Sequence, residues 1–329
     1  MSKTDTLLPS PPSSDDAFSR DAGRGDAIFR RLTGGAGVLV VVLLGAIVVF
    51  LVVQAVPALR ASGLGFLTRR EWFPDAKPPV FGVAALAFGT AVSSVLALAI
   101  ALPVAIGAAL FTTEVAGPRV GRWIGHLTDL LAAVPSVVYG LWGVAFLVPR
   151  LVPAQRWLDS TLGFIPMFHS RNGIYGRSLF AASVVLAIMI LPIIAAIARE
   201  VFRQAPTTHK EAAMALGATR WETIRYAVLP FSRSGLVGAA MLGLGRALGE
   251  TIAVALVLAA SFDIHWHFVE PGGNTIAANI ATKFGEAGLL GREALIASGL
   301  VLFAITLAVN VAARFVVART GRLTAGARS

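Results

Sequence analysis

The 329-residue chain contains no cysteine. Disulfides, thiolate metal sites and cysteine nucleophiles are therefore excluded. Charge is also scarce. Asp, Glu, Lys and Arg make up 14% of the residues, against about 25% in an ordinary soluble domain. No Gly-rich lysine motif that would cradle a nucleotide occurs anywhere, so any ATP hydrolysis has to be supplied by another chain. What the chain has in abundance is apolar side chains, 56% of the total, with a mean hydropathy of +0.75. That balance excludes a soluble enzyme and a disordered scaffold and implies repeated crossings of a bilayer. The net charge of +10 would suggest nucleic acid in a soluble protein. In a membrane protein it fits basic cytoplasmic loops.

A helix needs about 20 residues to cross the hydrocarbon. Stretches free of Asp, Glu, Lys and Arg place five crossings at Leu32–Leu59, Pro78–Thr113, Leu130–Pro149, Ser178–Ala198 and Ala294–Ala313. A further one, the fifth in chain order, runs over Ser234–Phe262 and is interrupted only by Arg246 and Glu250. The expected fold is thus all-α and polytopic, with six transmembrane helices. Pro103, Pro135 and Pro192 fall inside spans two, three and four and are expected to kink them.

The expected organisation is a tail over 1–31, a first span over 32–59, an extracytoplasmic segment over 60–79, a five-helix core over 80–315 and a tail over 316–329. The first tail is rich in Ser, Pro and Asp (Asp15, Asp16, Asp21, Asp26) and reads as disordered. It is too long and too acidic for the n-region of a cleavable signal. Lys and Arg are more numerous in the two tails and the even-numbered loops than in the odd-numbered loops. The positive-inside rule then puts both termini in the cytoplasm.

The fourth-to-fifth loop, 199–233, is long but not loop-like. Thr208-His-Lys-Glu211 has capping-box spacing ahead of Ala212, Ala213, Met214 and Leu216, and Gly217 suits a left-handed C-terminal position. Thr219-Arg-Trp-Glu222 offers a second box, after which Trp221, Ile224 and Val228 form one apolar stripe until Pro230 stops or kinks the helix. Three readings compete for this knob: a DNA-binding helix-turn-helix, a merely packed loop, and a docking element for a cytoplasmic partner. The first is out of place between two membrane spans.

Arg246 and Glu250 stand four residues apart in span five and would share a helical face. Each charge costs roughly 2.5–3.5 kcal/mol at mid-bilayer on insertion scales. One reading is an internal ion pair that limits this cost. The other is a solute path, since a guanidinium suits oxyanions. Phosphate keeps a proton at neutral pH that Glu250 could accept as a hydrogen bond, whereas sulfate would be repelled. In span three, Pro135 frees the carbonyl of Leu131, which Ser136 could fill, and Ser136 and Tyr139 are candidates for either a structural or a path-lining role.

Glu211-Ala212-Ala213, three residues, Gly217 and then Leu229-Pro230 resembles the EAA loop of bacterial ABC importer permeases, although Ala227 stands where that pattern usually has Ile. The string Gly243-Leu-Gly-Arg246-Ala-Leu-Gly-Glu250-Thr251 is similar to a segment of phosphate-specific ABC permeases. Ala132-Ala-Val-Pro135-Ser136-Val-Val-Tyr139-Gly140, Asn274-Thr-Ile-Ala-Ala-Asn279-Ile280 and Phe284-Gly-Glu286-Ala resemble the PstC-type subunit of that family. The matches cover roughly 80–315. With the long outside segment Arg150–Arg177, they favour PstC over the sister PstA type.

The resemblance implies a type I ABC importer permease in the bacterial cell membrane. It would be a non-catalytic phosphate permease subunit, surrounded by membrane lipid and binding no nucleic acid. It also implies a PstA-type sister permease, two PstB-type ATP-binding subunits and an extracytoplasmic PstS-type binding protein. No cofactor is bound by this chain, and ATP-Mg is used by the partner ATPase. Arg246, Glu250, Ser136, Tyr139 and Thr251 would line the path, and Glu211, Ala212, Ala213 and Gly217 would couple to the ATPase. The rivals are a permease for molybdate or sulfate and an ion-coupled secondary carrier, which has no need of the EAA-like loop.

Three further features invite attention. Asp129, beside His126, reads as interfacial and solvated. His265 and His267 flank Trp266 and suit an outer aromatic belt with polar tips rather than a metal site, because no third ligand has fitting spacing. Trp72, Phe73, Pro74 and Lys77 suggest an amphipathic stretch on the outer surface, serving as a docking platform or a lipid anchor.

Overall fold

A computed structural model describes residues 24–325 of the chain, with side chains over 27–315. Most of the expected tail over 1–31 lies outside the described residues, yet its last part is helical. The first helix, α1 (Arg24–Ser62), starts eight residues before the expected span.

The chain divides into two units, Met1–Phe50 and Leu51–Ser329. In the first, α1 carries exposed apolar side chains all round, among them Val38, Val41, Leu44 and Phe50. A helix without a polar face belongs in an apolar surround.

The second unit begins with the end of α1, followed by the short α2 (Gly65–Thr68) and a two-stranded antiparallel hairpin, β1 (Trp72–Phe73) and β2 (Val80–Phe81). The amphipathic stretch expected around Trp72 is this hairpin. Trp72 is buried edge-on against Phe81, with ring centroids 6.3 Å apart, so it anchors no lipid; Phe73 remains exposed. Next come α3 (Ala84–Leu110), α4 (Pro118–Ala132), α5 (Ser136–Trp142), α6 (Val148–Leu162) and α7 (Leu179–Arg203). The knob helices α8 (Thr207–Ala215) and α9 (Arg220–Thr223) precede α10 (Leu229–Gly249), α11 (Ile252–Val257), α12 (Ile276–Lys283) and α13 (Leu289–Ala325). The expected C-terminal tail over 316–329 is therefore helical through Ala325, and 326–329 lie outside the described residues.

Among the described residues six helical stretches are long and apolar enough to cross a membrane: Ala27–Ser62, Ala84–Val115, Ser136–Leu162, Leu179–Arg203, Arg220–Gly249 and Leu289–Phe315. The all-α, six-span fold expected from the sequence holds. Span three is displaced toward the C-terminus, to Ser136–Leu162. The chain breaks at Ala133–Pro135, so Pro135 sits before α5 instead of bending a continuous helix, and the span continues through Leu162. Pro103 and Pro192 do lie inside helices.

Helix α7 is the most enclosed of the six. Against it α3 sets Ala97, Ala101, Ala105 and Ala109, one per turn and all buried. Small residues let two backbones approach closely where dispersion, not hydrophobic expulsion, holds helices together. Three wide turns with i→i+5 bonding interrupt the regular helix, at Phe111–Val115, Gly143–Leu147 and Ile224–Val228.

Candidate functional site

Span five is not one helix. Helix α10 ends at Gly249, Glu250 is extended (φ −66°, ψ 131°), and α11 starts at Ile252. Hydropathy does not reveal the break, because the run beyond it stays apolar. Gly243, Gly245 and Gly249 weaken α10 locally, and the Glu250 side chain starts the next helix. Its Oε1 accepts a hydrogen bond from the Ala253 N–H at 3.1 Å. A buried carboxylate at a helix N-terminus satisfies a free donor and complements the helix dipole. The Thr251 hydroxyl donates to the Gly249 carbonyl at 3.0 Å.

Arg246 lies in the last turn of α10. Glu250, four residues on, lies just past the end of that helix. Among the described residues Arg246 joins no ion pair, and its Nε is buried without a hydrogen-bond partner. The expected internal ion pair with Glu250 does not form in this structure. Gly238, Leu242 and Arg246, one turn apart, border a cleft of ≈890 Å³ together with Ile193 of α7 and part of α13.

The third-span candidates meet the same region. Gly140 approaches α11 so closely that a Cβ there would sit 2.7 Å from the Ala253 Cα. Tyr139 is buried. Its hydroxyl donates to the Leu131 carbonyl at 2.8 Å. Tyr139, not Ser136, fills that gap, because the chain has already turned at Pro135 and Ser136 opens the new helix, half-buried.

Sequence reasoning missed Arg177. Its guanidinium donates to the carbonyls of Leu256 (2.8 Å), Leu258 (2.7 Å) and Val257 (3.3 Å), closing the C-terminal end of α11. Nothing in the local pattern points across eighty residues to that helix end. Beyond it the chain is irregular to Thr275, with a turn closed by the Glu270 N–H on the His267 carbonyl, and α12 then buries Asn279. The Asn274 side chain donates to Asn279 at 3.4 Å, and Thr90 of α3 accepts from the Ile276 N–H at 3.0 Å.

In the knob, α8 starts at Thr207, one residue before the expected cap, because the chain already turns at Pro206, whose carbonyl accepts from the His209 N–H. The first capping box does not form, and Glu211 and Ala212 are exposed with Ala213 half-buried. Gly217 takes φ +85° as expected. The Ala218 N–H bonds back to the Ala213 carbonyl and the Gly217 N–H to Met214, the paired closure of a left-handed helix end. The second capping box forms in both directions between Thr219 and Glu222. Trp221 is exposed while Ile224 and Val228, the two ends of the wide turn, are buried, so the expected stripe does not hold as one buried face. That turn also accommodates Pro230, which opens α10 and does not stop the helix.

Met214, Leu216 and Trp221 give the knob an exposed apolar patch, with Glu211, Arg220 and Glu222 exposed around it. Two ion pairs tie the surroundings together. Lys210 Nζ meets Glu114 of the first wide turn at 2.7 Å, largely buried, and Arg199 meets Asp129 at 2.7 Å, so Asp129 is half of a pair and not merely solvated.

On the other face, the Asp75 carboxylate accepts from the Gly288 and Gly291 N–H groups at 3.0 and 3.1 Å, pinning the hairpin to the start of α13. Trp266 is exposed and edges Phe88 at 5.3 Å, and His267 faces the Pro166 carbonyl at 2.8 Å. Among the described residues no cluster of His, Asp or Glu is arranged to hold a metal ion. The Tyr175 hydroxyl donates to Asp159 at 2.6 Å, and that bond holds the phenol above its ordinary pKa.

Residues 101–322 match the family described as "Binding-protein-dependent transport system inner membrane component". The "Phosphate transport system permease protein PstC 2" of Mycobacterium tuberculosis is 46% identical over 300 residues, 90% of this chain and 92% of that protein. The chain belongs to the PstC family of permeases. Its PstC relatives in Mesorhizobium japonicum and Haemophilus influenzae are 40% and 39% identical, covering 98% and 89% of this chain and 100% and 93% of theirs. An inward-facing conformation of the MetNI methionine ABC transporter aligns with a TM-score of 0.49 at 20% identity, over 70% of this chain and 91% of that one. Membership of the PstC family makes the chain a multi-pass inner-membrane component of a binding-protein-dependent ABC transport system. The break at Glu250 and the exposed apolar knob both lie within the family match.

Proposed function

We propose that this chain forms half of the translocation path of an ATP-driven phosphate importer, with Arg246 receiving the anion. One observation carries the reading: a guanidinium inside a membrane span, unpaired among the described residues, borders an open cleft while the neighbouring carboxylate is occupied elsewhere. An intramembrane charge without a protein partner needs an anion or water to offset its desolvation. Glu250 keeps a second role open. One of its oxygens holds Ala253, and the other accepts no hydrogen bond from the described residues. That free oxygen can take the proton that phosphate carries and sulfate lacks.

The relatives' names support phosphate as cargo. The remaining subunits would be a PstA-type sister permease, two PstB-type ATPases using ATP-Mg and a PstS-type binding protein. Both termini would lie in the cytoplasm, with the apolar knob surface of Met214, Leu216 and Trp221 seated on an ATPase. ATP-driven closure of the ATPases would then move α7 and α10, the helices on either side of the knob.

The test is uptake by the reconstituted complex. Arg246→Gln is expected to cut phosphate uptake about tenfold or more, the equivalent of one charge-assisted hydrogen bond, while subunit assembly stays intact. Uptake at the normal rate would overturn the reading. Transport of molybdate or sulfate alongside phosphate would overturn the role given to Glu250.

A further inference from the structure

The cleft beside Arg246 holds a second cation that the reading above does not use. Its far wall is α13, which contributes Asn310 and Arg314, four residues and so one turn apart. Both are exposed, and among the described residues neither forms a hydrogen bond or ion pair. No Asp or Glu borders the space. Asn310 belongs to a membrane-spanning stretch, where an amide facing an open space needs water or a solute to satisfy it.

The cleft has direction. It borders α10 from Arg246 back to Ser234, a distance of about 18 Å at 1.5 Å per residue. Ser234 lies near the start of α10, which follows the knob, and the next span, α13, crosses in the opposite direction and reaches Arg314 at its end, so Arg314 sits toward the knob and Arg246 away from it. Between them the walls are apolar, with Ile193, Val237, Met241 and Leu242. In such a low-dielectric cleft two guanidiniums that form no ion pair among the described residues are weakly screened and focus an attractive field on small anions. A single deep cation would also hold its anion too long. Passage needs binding that is shared between sites and weak enough to release.

We propose that Asn310 and Arg314 form a second oxyanion site, occupied as the anion leaves Arg246 toward the cytoplasm. The proposal rests on Arg246 being a path residue. Arg314 supplies a planar fork of donors, and the Asn310 amide supplies one more.

The absence of cysteine makes the test direct. Asn310→Cys places the one thiol of this chain in the cleft, and Ala313→Cys, which borders the same space, serves if the first variant fails to assemble. In the complete complex, an anionic methanethiosulfonate should label this chain about tenfold faster than a cationic one, as read by the mass of the chain. Millimolar phosphate should slow that labelling. Adding Arg314→Gln should remove the preference for the anionic reagent. Equal rates for both reagents, no labelling of either variant, or an unchanged preference after Arg314→Gln would each overturn the second site. Protection by molybdate or sulfate but not by phosphate would leave the site standing and overturn phosphate as the cargo. Normal uptake by Arg246→Gln together with full protection would leave an anion site on α13 but remove its place after Arg246.

Discussion

At Glu250 one side chain serves two ends. Oε1 starts α11 through the Ala253 N–H, and the carboxylate charge stands one turn from Arg246. The two roles separate by substitution. Glu250→Gln keeps a carbonyl oxygen for the cap and removes the charge, so thermal stability of the purified complex should change little while phosphate selectivity over sulfate falls. Glu250→Leu removes the cap as well and should destabilise by about 0.5–2 kcal/mol, seen as a lower unfolding temperature. Equal stability of the two variants would show that the cap contributes nothing. The choice of Arg246 and Glu250 was legible in the sequence because ionisable residues are conspicuous in an apolar run. Their geometry was not legible, since helix spacing holds only while the helix continues.

Elements explain where pattern reading succeeds. Thr219 and Glu222 were readable as a capping box because both partners sit within one turn, and Gly217 was readable because its role depends on its own φ. The wide turns were not readable. Each adds a residue to one turn, and nothing in the composition of Ile224–Val228 announces that extra residue. The knob's rigidity makes Gly217→Val informative: a β-branched residue at φ +85° costs about 1–2 kcal/mol. The closure of α8 should loosen, and retention of the ATPase in a pull-down should drop.

The Lys210–Glu114 pair ties that same helix to the end of α3 at 2.7 Å. If the pair transmits motion, Lys210→Glu and Glu114→Lys should each uncouple ATP hydrolysis from uptake, and the double swap should restore coupling. An interaction energy of roughly 0.5–3 kcal/mol is expected from the stability cycle. A double variant no better than either single would show that the pair does not transmit.

For the whole chain, six spans were readable because apolar length alone specifies a crossing. The links between distant segments were not. Asp75 meets Gly288, Thr90 meets Ile276 and Arg177 meets Leu256 across long stretches of chain, and each pairing depends on which polar backbone groups are left without partners once the helices have ended. Arg177→Gln should leave carbonyls at the end of α11 without charged donors, costing about 1–3 kcal/mol. That loss should appear as a lower unfolding temperature or lower yield, in contrast to Arg246→Gln, which should assemble normally.

Helix α11 has an anionic clamp at its front and a cationic clamp at its back. A segment of six residues finished at both ends in this way carries its own terminations, as a short rod fitted with ferrules does. The two fittings reduce the number of bare backbone groups that an interruption of a spanning helix leaves beside its charged residue.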